Sequence, residues 1–284
     1  MEPIGTIKAG NTLGECPLWD GAAMWWTDIE ERCLFRFRWT ERTLERFATP
    51  ERLCAFGLVE GGELLVAAFE SGFALFDPAE GKTTWLAHTR KLPGVRLNDG
   101  RVDRQGRFWA GEMAEQDEYA GRGQLYCLGH DGTVRPREGG LTISNSLSWS
   151  PDGTILYLAD SPRRTIWRYA FDAASGTISD RRVFAETPPG ALPDGAITDA
   201  SGRLWSAHWG AGRIVRYTPD GRIERALPVA ARQPTCVAFG GPGLDLLFVT
   251  TARAGLAEPG PSDGDVLIYR TDAKGLPEER YRPA

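Results

Sequence analysis

Residues 145–169 read NSLSWSPDGTILYLADSPRRTIWRY and contain three short apolar segments separated by polar residues. Residues 145–150 mix small and apolar side chains, residues 156–160 (LYLAD) are mainly apolar, and residues 166–169 (IWRY) are rich in aromatic side chains. The Pro-Asp-Gly sequence at 151–153 is typical of a turn. We expect consecutive antiparallel strands here, because no 12-residue window of the chain keeps a helical apolar period without Gly or Pro.

The same pattern occurs six times along the chain. The segments equivalent to LYLAD begin at residues 25, 64, 108, 156, 204 and 247, so successive copies lie 39 to 48 residues apart. Such a period is typical of the blades of a β-propeller. We therefore predict an all-β fold, a six-bladed β-propeller with four-stranded antiparallel blades, formed by residues 1–284 as a single domain. We also expect the first ten residues to add a strand to the last blade and close the ring.

The composition narrows the possible partners and the compartment. The chain has 33 Lys and Arg against 38 Asp and Glu, a net charge of -5, which argues against binding to a nucleic-acid backbone. No signal peptide and no bilayer-spanning apolar stretch is recognisable, so we expect a cytoplasmic protein without membrane contact. The five Cys form no CxxC motif, which predicts buried free thiols. A closed propeller needs no partner at its edges, so a monomer is expected.

Polar side chains recur where the predicted inner strands begin. They are Glu15, Asn98, Asp99, Asn145 and Asp194, from four of the six repeats. Equivalent positions of different blades meet around the central channel of a propeller. Carboxylates crowded in a partly dehydrated site are unfavourable unless a cation lies among them, and oxygen ligands suit Ca²⁺, Mg²⁺ or Mn²⁺. The sequence therefore predicts a divalent metal in the central channel, with turn-forming Asn and Asp residues as the alternative.

Five segments resemble signature blocks of the SMP-30/gluconolactonase family and occur in the same order. They are GECPLW (14–19), RLNDG (96–100), SNSL (144–147), SPDG (150–153) and PDG (193–195). With FGG (239–241) and TTA (250–252), the resemblance covers nearly the whole chain. It implies a six-bladed propeller, a divalent metal in its channel and hydrolysis of sugar lactones.

The resemblance also implies roles for individual residues. Glu15, Asn145 and Asp194 would be the metal ligands, and Asp194 would also take a proton from the attacking water. Arg96 and Asn98 would contact the substrate, since a guanidinium offers a fork of donors and an amide both donates and accepts. Whether Asp194 or a metal-bound hydroxide is the effective base stays open.

Two positions depart from the family pattern. Cys16 stands where the family usually has Gly, directly after the implied ligand Glu15. Glu112 stands before Met113 where Thr is usual, and the acidic residue that follows is Glu115. Glu115 is assigned as a third substrate contact, and its loop bears on which sugar is preferred.

The leading hypothesis is metal-dependent hydrolysis of a sugar (aldono)lactone to the aldonic acid. A divalent cation would stabilise the oxyanion and lower the pKa of a bound water. We expect Ca²⁺ first, and Zn²⁺, Mn²⁺, Mg²⁺ or Fe²⁺ stay open, as do the lactone and its ring size. The alternatives are a metal-dependent esterase or organophosphate hydrolase on the same fold, and a non-catalytic propeller that binds calcium or a partner. The chain has only three His and no GxSxG motif, which argues against a His-based zinc site or a Ser-His-Asp hydrolase.

Overall fold

Short apolar segments separated by Gly- and Asp-containing turns form the strands of the computed structural model, which describes residues 2–89 and 92–284. The first strand is β1 (Gly5–Ile7). Blade 1 consists of β2 (Gly14–Trp19), β3 (Ala23–Asp28), β4 (Cys33–Arg38) and β5 (Thr43–Ala48). Blade 2 contains β6 (Leu53–Val59), β7 (Leu65–Phe69), β8 (Gly72–Asp77) and β9 (Lys82–His88). Blade 3 consists of β10 (Val95–Val102), β11 (Phe108–Ala114), β12 (Gly123–Leu128) and β13 (Val134–Leu141).

The second half of the chain repeats this arrangement. Blade 4 consists of β14 (Ser144–Trp149), β15 (Ile155–Asp160), β16 (Thr165–Asp172) and β17 (Thr177–Glu186). Blade 5 consists of β18 (Leu192–Thr198), β19 (Leu204–Trp209), β20 (Arg213–Tyr217) and β21 (Ile223–Pro228). Blade 6 contains β22 (Pro234–Gly240), β23 (Leu246–Thr251) and β24 (Val266–Arg270), and β25 (Arg280–Tyr281) is the last strand.

The blades form a closed ring around the innermost strands. Each innermost strand contacts the innermost strand of the next blade, and β22 of the last blade contacts β2 of the first. Strands follow one another antiparallel from the centre outward, as in β14-β15-β16-β17. The predicted all-β fold with six four-stranded propeller blades is confirmed.

The N-terminal segment completes the sixth blade, as expected from the sequence. β1 pairs antiparallel with β24, with Gly5 opposite Ile268 and Ile7 opposite Val266. Ile7 is buried in the cluster of apolar side chains shared by blades 1 and 6. The pairing covers the edge of β24 that a chain starting at β2 would leave open.

The C-terminal segment makes contacts that the repeat pattern did not predict. β25 pairs parallel with β6, with Arg280 opposite Leu58, and so adds a fifth strand to blade 2. Further along, the hydroxyl of Tyr281 donates to the carbonyl oxygen of Gly129 in blade 3 at 2.9 Å. Residues 276–279 border a small void of about 30 Å³ together with the last residues of β10, β14 and β18. The segment therefore covers the end of the channel where the inner strands finish.

Buried Trp residues are held by Asp residues at equivalent places in two blades. The indole Nε1 of Trp109 donates to Asp103 at 2.8 Å, and that of Trp205 donates to Asp199 at 3.0 Å. Each Asp lies in the turn after an inner strand, and its other oxygen accepts backbone N–H groups of that turn. The pairs satisfy buried polar groups and tie the turn to the second strand of the blade.

The remaining expectations about cysteines are also met. All five cysteines are buried and unpaired: Cys16, Cys33, Cys54, Cys127 and Cys236.

The described helical elements are two three-residue 3₁₀ turns, Asp117–Tyr119 and Ser161–Arg163. Neither of these described turns is long and apolar enough to cross a membrane.

Candidate functional site

Each innermost strand has one irregular step in its pairing with the second strand, near the residue where it begins. In chain order, the irregular steps are Glu15–Leu18, Leu53–Ala55, Leu97–Gly100, Asn145–Ser148, Pro193–Ala196 and Pro234–Val237. A β-bulge bends the strand and redirects the side chains beside it. Because the bulge is repeated in all six blades, side chains at equivalent positions are turned toward the same opening of the channel.

Two of these bulges place a residue other than Gly in the left-handed backbone region. Cys16 has φ 50° and Ser146 has φ 58°, and they directly follow Glu15 and Asn145. Such a conformation costs an ordinary residue on the order of 1–3 kcal/mol and is concentrated at functional sites. The backbone N–H of Cys16 donates to Glu15 Oε2 at 2.9 Å, and the hydroxyl of Ser146 donates to the carbonyl oxygen of Asp194. The left-handed conformation also explains why Gly suits the position of Cys16.

A cavity of about 190 Å³ opens at this end of the channel. Its polar lining residues are Glu15, Arg96, Asn98, Asn145, Ser161 and Asp194. The apolar lining residues are Leu13, Met113, Ile143, Leu192 and Trp209. Six of the seven role assignments made from the sequence therefore fall on residues that share one cavity, and the exception is Glu115.

The polar residues of the cavity are linked by hydrogen bonds. Arg96 Nη1 donates to Asn98 Oδ1 at 2.9 Å, and Asn98 Nδ2 donates to Asn145 Oδ1 at 3.1 Å. Asn145 Nδ2 then donates to Ser161 Oγ at 2.8 Å, and the Ser161 hydroxyl donates to the carbonyl oxygen of Pro193 at 2.7 Å. The chain of donors fixes both amides, so the carbonyl oxygen of Asn145 faces away from Ser161.

Three carboxyl groups lie close enough to influence one another. Burial, and then the neighbouring Asp99, raise the pKa of Glu15 to about 8. Burial, and then Glu15, raise the pKa of Asp194 well above its ordinary value. Burial raises the pKa of Asp99 to about 6, although its Oδ2 accepts the N–H of Leu147 at 2.9 Å. Two of these carboxyl groups are buried and Glu15 is half-buried, and a cation among such groups would stabilise their ionised forms.

The residues present fit a hard divalent cation. Glu15 and Asp194 offer carboxylate oxygens, and Asn145 offers an uncharged carbonyl oxygen, the donor types that Ca²⁺, Mg²⁺ and Mn²⁺ prefer. Within residues 2–89 and 92–284, no three side chains of the His, Cys, Asp and Glu types converge in a way that could hold a metal. A cation held here by Glu15 and Asp194 would therefore need the amide oxygen of Asn145 as its third protein ligand.

Glu115 lies beside the cavity and is bound by two arginines. Arg52 Nη1 donates to Glu115 Oε1 at 2.6 Å and Arg52 Nη2 donates to Oε2 at 3.1 Å. Arg96 Nε also donates to Oε1, at 3.3 Å. The hydrogen bonds from Arg52 lower the pKa of Glu115 despite its partial burial, so this carboxylate carries its charge. Arg52 is the residue immediately before β6. Residues 54–56 of that strand are Cys, Ala and Phe, so the start of this inner strand carries no charged side chain of its own.

Two polar residues at the site, Ser161 and Arg52, were not predicted from the sequence. Ser161 lies in the 3₁₀ turn after β15, and nothing in its sequence neighbourhood marks it as a partner of Asn145. Arg52 could have been noticed as the charged residue closest to the inner strand of blade 2. Both residues act by holding another side chain, and such contacts join positions that are not equivalent in the repeat.

His208 takes no part in the cavity. Its side chain is fully buried, with Nε2 at 3.1 Å from the hydroxyl of Tyr217, and Nδ1 accepts Arg213 Nε at 3.3 Å. Because Nδ1 accepts, Nε2 carries the hydrogen of the neutral ring. Burial lowers the pKa of His208 to about 4. The next residue, Trp209, is the one that lines the cavity.

Comparison with protein families gives a match over most of the chain. Residues 13–253 match the SMP-30/Gluconolactonase/LRE-like region. An L-arabinolactonase from Azospirillum brasilense is 36% identical over 280 residues, which cover 95% of this chain and 92% of the relative. A 6-deoxy-6-sulfogluconolactonase from Pseudomonas putida is 34% identical over 284 residues, which cover 97% of each protein.

Comparison with solved structures agrees with the sequence match. The crystal structure of a calcium-binding protein, regucalcin, from Agrobacterium tumefaciens superposes with a TM-score of 0.93 and is 31% identical. The superposition covers 99% of this chain and 98% of the other. The likeness therefore extends over all six blades and both terminal segments.

Proposed function

Because this chain belongs to the SMP-30/gluconolactonase family, we propose that it hydrolyses a sugar (aldono)lactone to the aldonic acid with a divalent cation in the channel. The observation that carries the proposal is the single cavity in which Glu15, Asn145 and Asp194 meet Arg96 and Asn98. The lactonases among its relatives support the reaction class.

Three residues would hold the cation. Glu15 and Asp194 would supply two negative charges, and Asn145 would supply a neutral oxygen that Ser161 keeps in place. When bound, a divalent cation would supply Lewis acidity toward the lactone carbonyl. The oxygen donors favour Ca²⁺, and the calcium-binding regucalcin with the same fold supports that choice.

Asp194 is the proposed general base. Its carboxylate lines the cavity and would take the proton of the attacking water, in addition to its role as a cation ligand. The hydrogen bond from the Ser146 hydroxyl to the carbonyl oxygen of Asp194 holds the backbone that carries this side chain. Leu192 and Trp209 line the same cavity and supply apolar surface to it.

Arg96 and Asn98 are the proposed substrate contacts, with Glu115 at the edge of the cavity as the third. Arg96 Nη1 and Nε are already bonded, but among the described residues no partner accepts from its Nη2. That donor is therefore available for a substrate oxygen. A volume of about 190 Å³ is below the roughly 300–1,000 Å³ of sites for drug-sized ligands and favours a single sugar ring.

An assay of acid release tests this function. A panel of pentono- and hexonolactones, one aryl ester and one organophosphate triester is incubated with the protein in weakly buffered pH indicator. Each reaction is run with chelator and after addition of Ca²⁺, Mn²⁺, Mg²⁺ or Zn²⁺, and is corrected for spontaneous hydrolysis. We expect acceleration with at least one aldonolactone, lost in chelator and restored by a metal. Hydrolysis of the aryl ester or the triester alone, or of no substrate with any metal, contradicts the proposal.

A further inference from the structure

Arg52 binds the carboxylate of Glu115 through both terminal nitrogens of its guanidinium, Nη1 and Nη2. The two bonds to Oε1 and Oε2, 2.6 and 3.1 Å long, form the paired geometry that fixes a carboxylate most strongly. The side chain of Arg52 is 19% exposed and that of Glu115 is 32% exposed, so the pair lies at the edge of the cavity and not in bulk solvent.

Arg52 is itself held from the opposite side. Its Nε donates to Oε2 of Glu70, the residue after β7, at 2.7 Å. Glu70 belongs to blade 2, whereas Glu115 follows β11 of blade 3. The guanidinium thus bridges two blades at the end of the channel where the cavity opens, and its planar shape leaves little freedom to rotate.

The contacts continue from Glu115 into the cavity. Oε1 of Glu115 also accepts Arg96 Nε at 3.3 Å, and Nη1 of Arg96 donates to Asn98 Oδ1 at 2.9 Å. An ionised carboxylate has about four acceptor positions, and three are used by the two arginines. The fourth can accept one hydroxyl group. Arg52 therefore holds the carboxylate that carries this acceptor and that also contacts Arg96.

We propose that Arg52 is a positioning residue that fixes Glu115, and through it Arg96, and so determines how tightly the hydroxyl pattern of the lactone is bound. This inference rests on the proposed lactonase function and adds a residue to it. Arg52 touches neither the reacting carbonyl nor the cation ligands, so it acts on substrate binding and not on the chemical step.

Kinetics of four variants test this role. Arg52→Gln, Glu115→Gln and the double variant are compared with wild type, and Arg36→Gln serves as a matched control. Arg36 forms an equivalent paired contact with Glu45, at 2.6 and 2.9 Å, and its side chain is 22% exposed. It lies in blade 1, opposite Trp25 in the strand pairing and away from the cavity.

We expect Arg52→Gln to raise KM about tenfold. Its kcat should stay within about threefold of the wild-type value, and its Ca²⁺ affinity within about twofold. Because both residues act as one unit, the double variant should resemble Glu115→Gln alone. Arg36→Gln should leave KM unchanged. The positioning role is wrong if KM is unchanged in Arg52→Gln, or if the effects of the two single variants multiply in the double variant. It is also wrong if Arg52→Gln loses kcat, metal affinity and thermal stability together.

Crystal structures of wild type and Arg52→Gln separate this inference from the proposed function. We expect Glu115 and Arg96 to change side-chain conformation when Arg52 is removed. If both stay in place, the positioning role is wrong, whatever the enzyme hydrolyses. If they move but the wild-type protein accelerates hydrolysis of no lactone, the contact is confirmed and the proposed function fails.

Discussion

Asn145 Nδ2 donates to the hydroxyl oxygen of Ser161 at 2.8 Å, and this contact decides which way the amide of Asn145 faces. Ser161 cannot turn away, because its own hydrogen is donated to the carbonyl oxygen of Pro193 at 2.7 Å. The carbonyl oxygen of Asn145 therefore points away from Ser161 and accepts Asn98 Nδ2 at 3.1 Å, on the side where Asn98 lines the cavity.

Replacing Ser161 should therefore weaken metal binding. Contacts behind a metal ligand typically contribute 10- to 100-fold to affinity. We expect Ser161→Ala to raise the Kd for Ca²⁺ at least tenfold in calorimetric titration. Ser206→Ala is the control, since Ser206 is equally buried in β19 but does not line the cavity. Equal affinity in Ser161→Ala and wild type contradicts the assigned role of this hydroxyl.

The stability of the metal-free protein should depend on pH through Glu15. Burial, and then Asp99, raise the pKa of Glu15 from 4.5 to about 8, so the folded protein keeps a proton that the unfolded chain loses. Raising the pH from about 4.5 to 8 therefore lowers the free energy of unfolding. We expect the Tm in chelator to fall across this range, and to fall less in Glu15→Gln.

Thermal scans between pH 5 and 8 measure this effect. Saturating Ca²⁺ should flatten the profile of the wild-type protein but not change that of Glu15→Gln. Glu63→Gln is the control, because Glu63 is exposed in the turn before β7. Profiles of wild type and Glu15→Gln that fall in parallel would show that Glu15 is not the group responsible.

The fold was accessible from the sequence because every blade repeats the same local pattern. Strand β15 (Ile155–Asp160) occupies nearly the predicted residues 156–160, and β16 contains the predicted 166–169. Alternating apolar segments and turns predict strands locally, and the repeat fixes their order. The equivalent positions of Asn145 and Asp194 then predicted that their side chains would meet.

Contacts outside the repeat could not be predicted in this way. β25 has two residues and no periodic pattern, and its pairing with β6 depends on where the C-terminal segment crosses the channel. The pair of Arg52 and Glu115 joins residues 63 positions apart that are not equivalent in their blades. Ser161 depends on a 3₁₀ turn whose place follows from the folded blade.

Glu278 should stabilise the end of the channel that the C-terminal segment covers. Its carboxylate accepts Arg101 Nη1 at 2.9 and 3.1 Å, and the two side chains are only 14% and 10% exposed. Removing one partner of a buried ion pair costs about 3–5 kcal/mol, because the other charge stays buried. We expect a loss of this size for Glu278→Ala in urea denaturation.

The neighbouring residue provides a control for that prediction. Glu279 contacts Arg104 at 3.4 Å and is 28% exposed, so Glu279→Ala should cost about 0–1 kcal/mol. Similar losses in the two variants would indicate that truncation of the segment, and not the pairing with Arg101, determines stability.

The N-terminal strand should contribute to the closure of the ring. Deleting residues 2–9 removes β1 and exposes the edge of β24. Loss of the buried Ile7 side chain alone costs about 1.5–3 kcal/mol. We expect a lower Tm and more aggregation in light scattering, whereas Ile4→Ala should change neither, because Ile4 is 56% exposed. A deletion variant as stable and soluble as wild type contradicts the closing role.

We propose that Glu15, Asn145 and Asp194 together hold one divalent cation in the cavity at the end of the channel. An anomalous difference map from crystals grown with Mn²⁺ tests it directly. We expect one strong peak within about 2.5 Å of an oxygen of each of these three side chains. A peak bound elsewhere, or a cavity without a peak at saturating Mn²⁺, would contradict it.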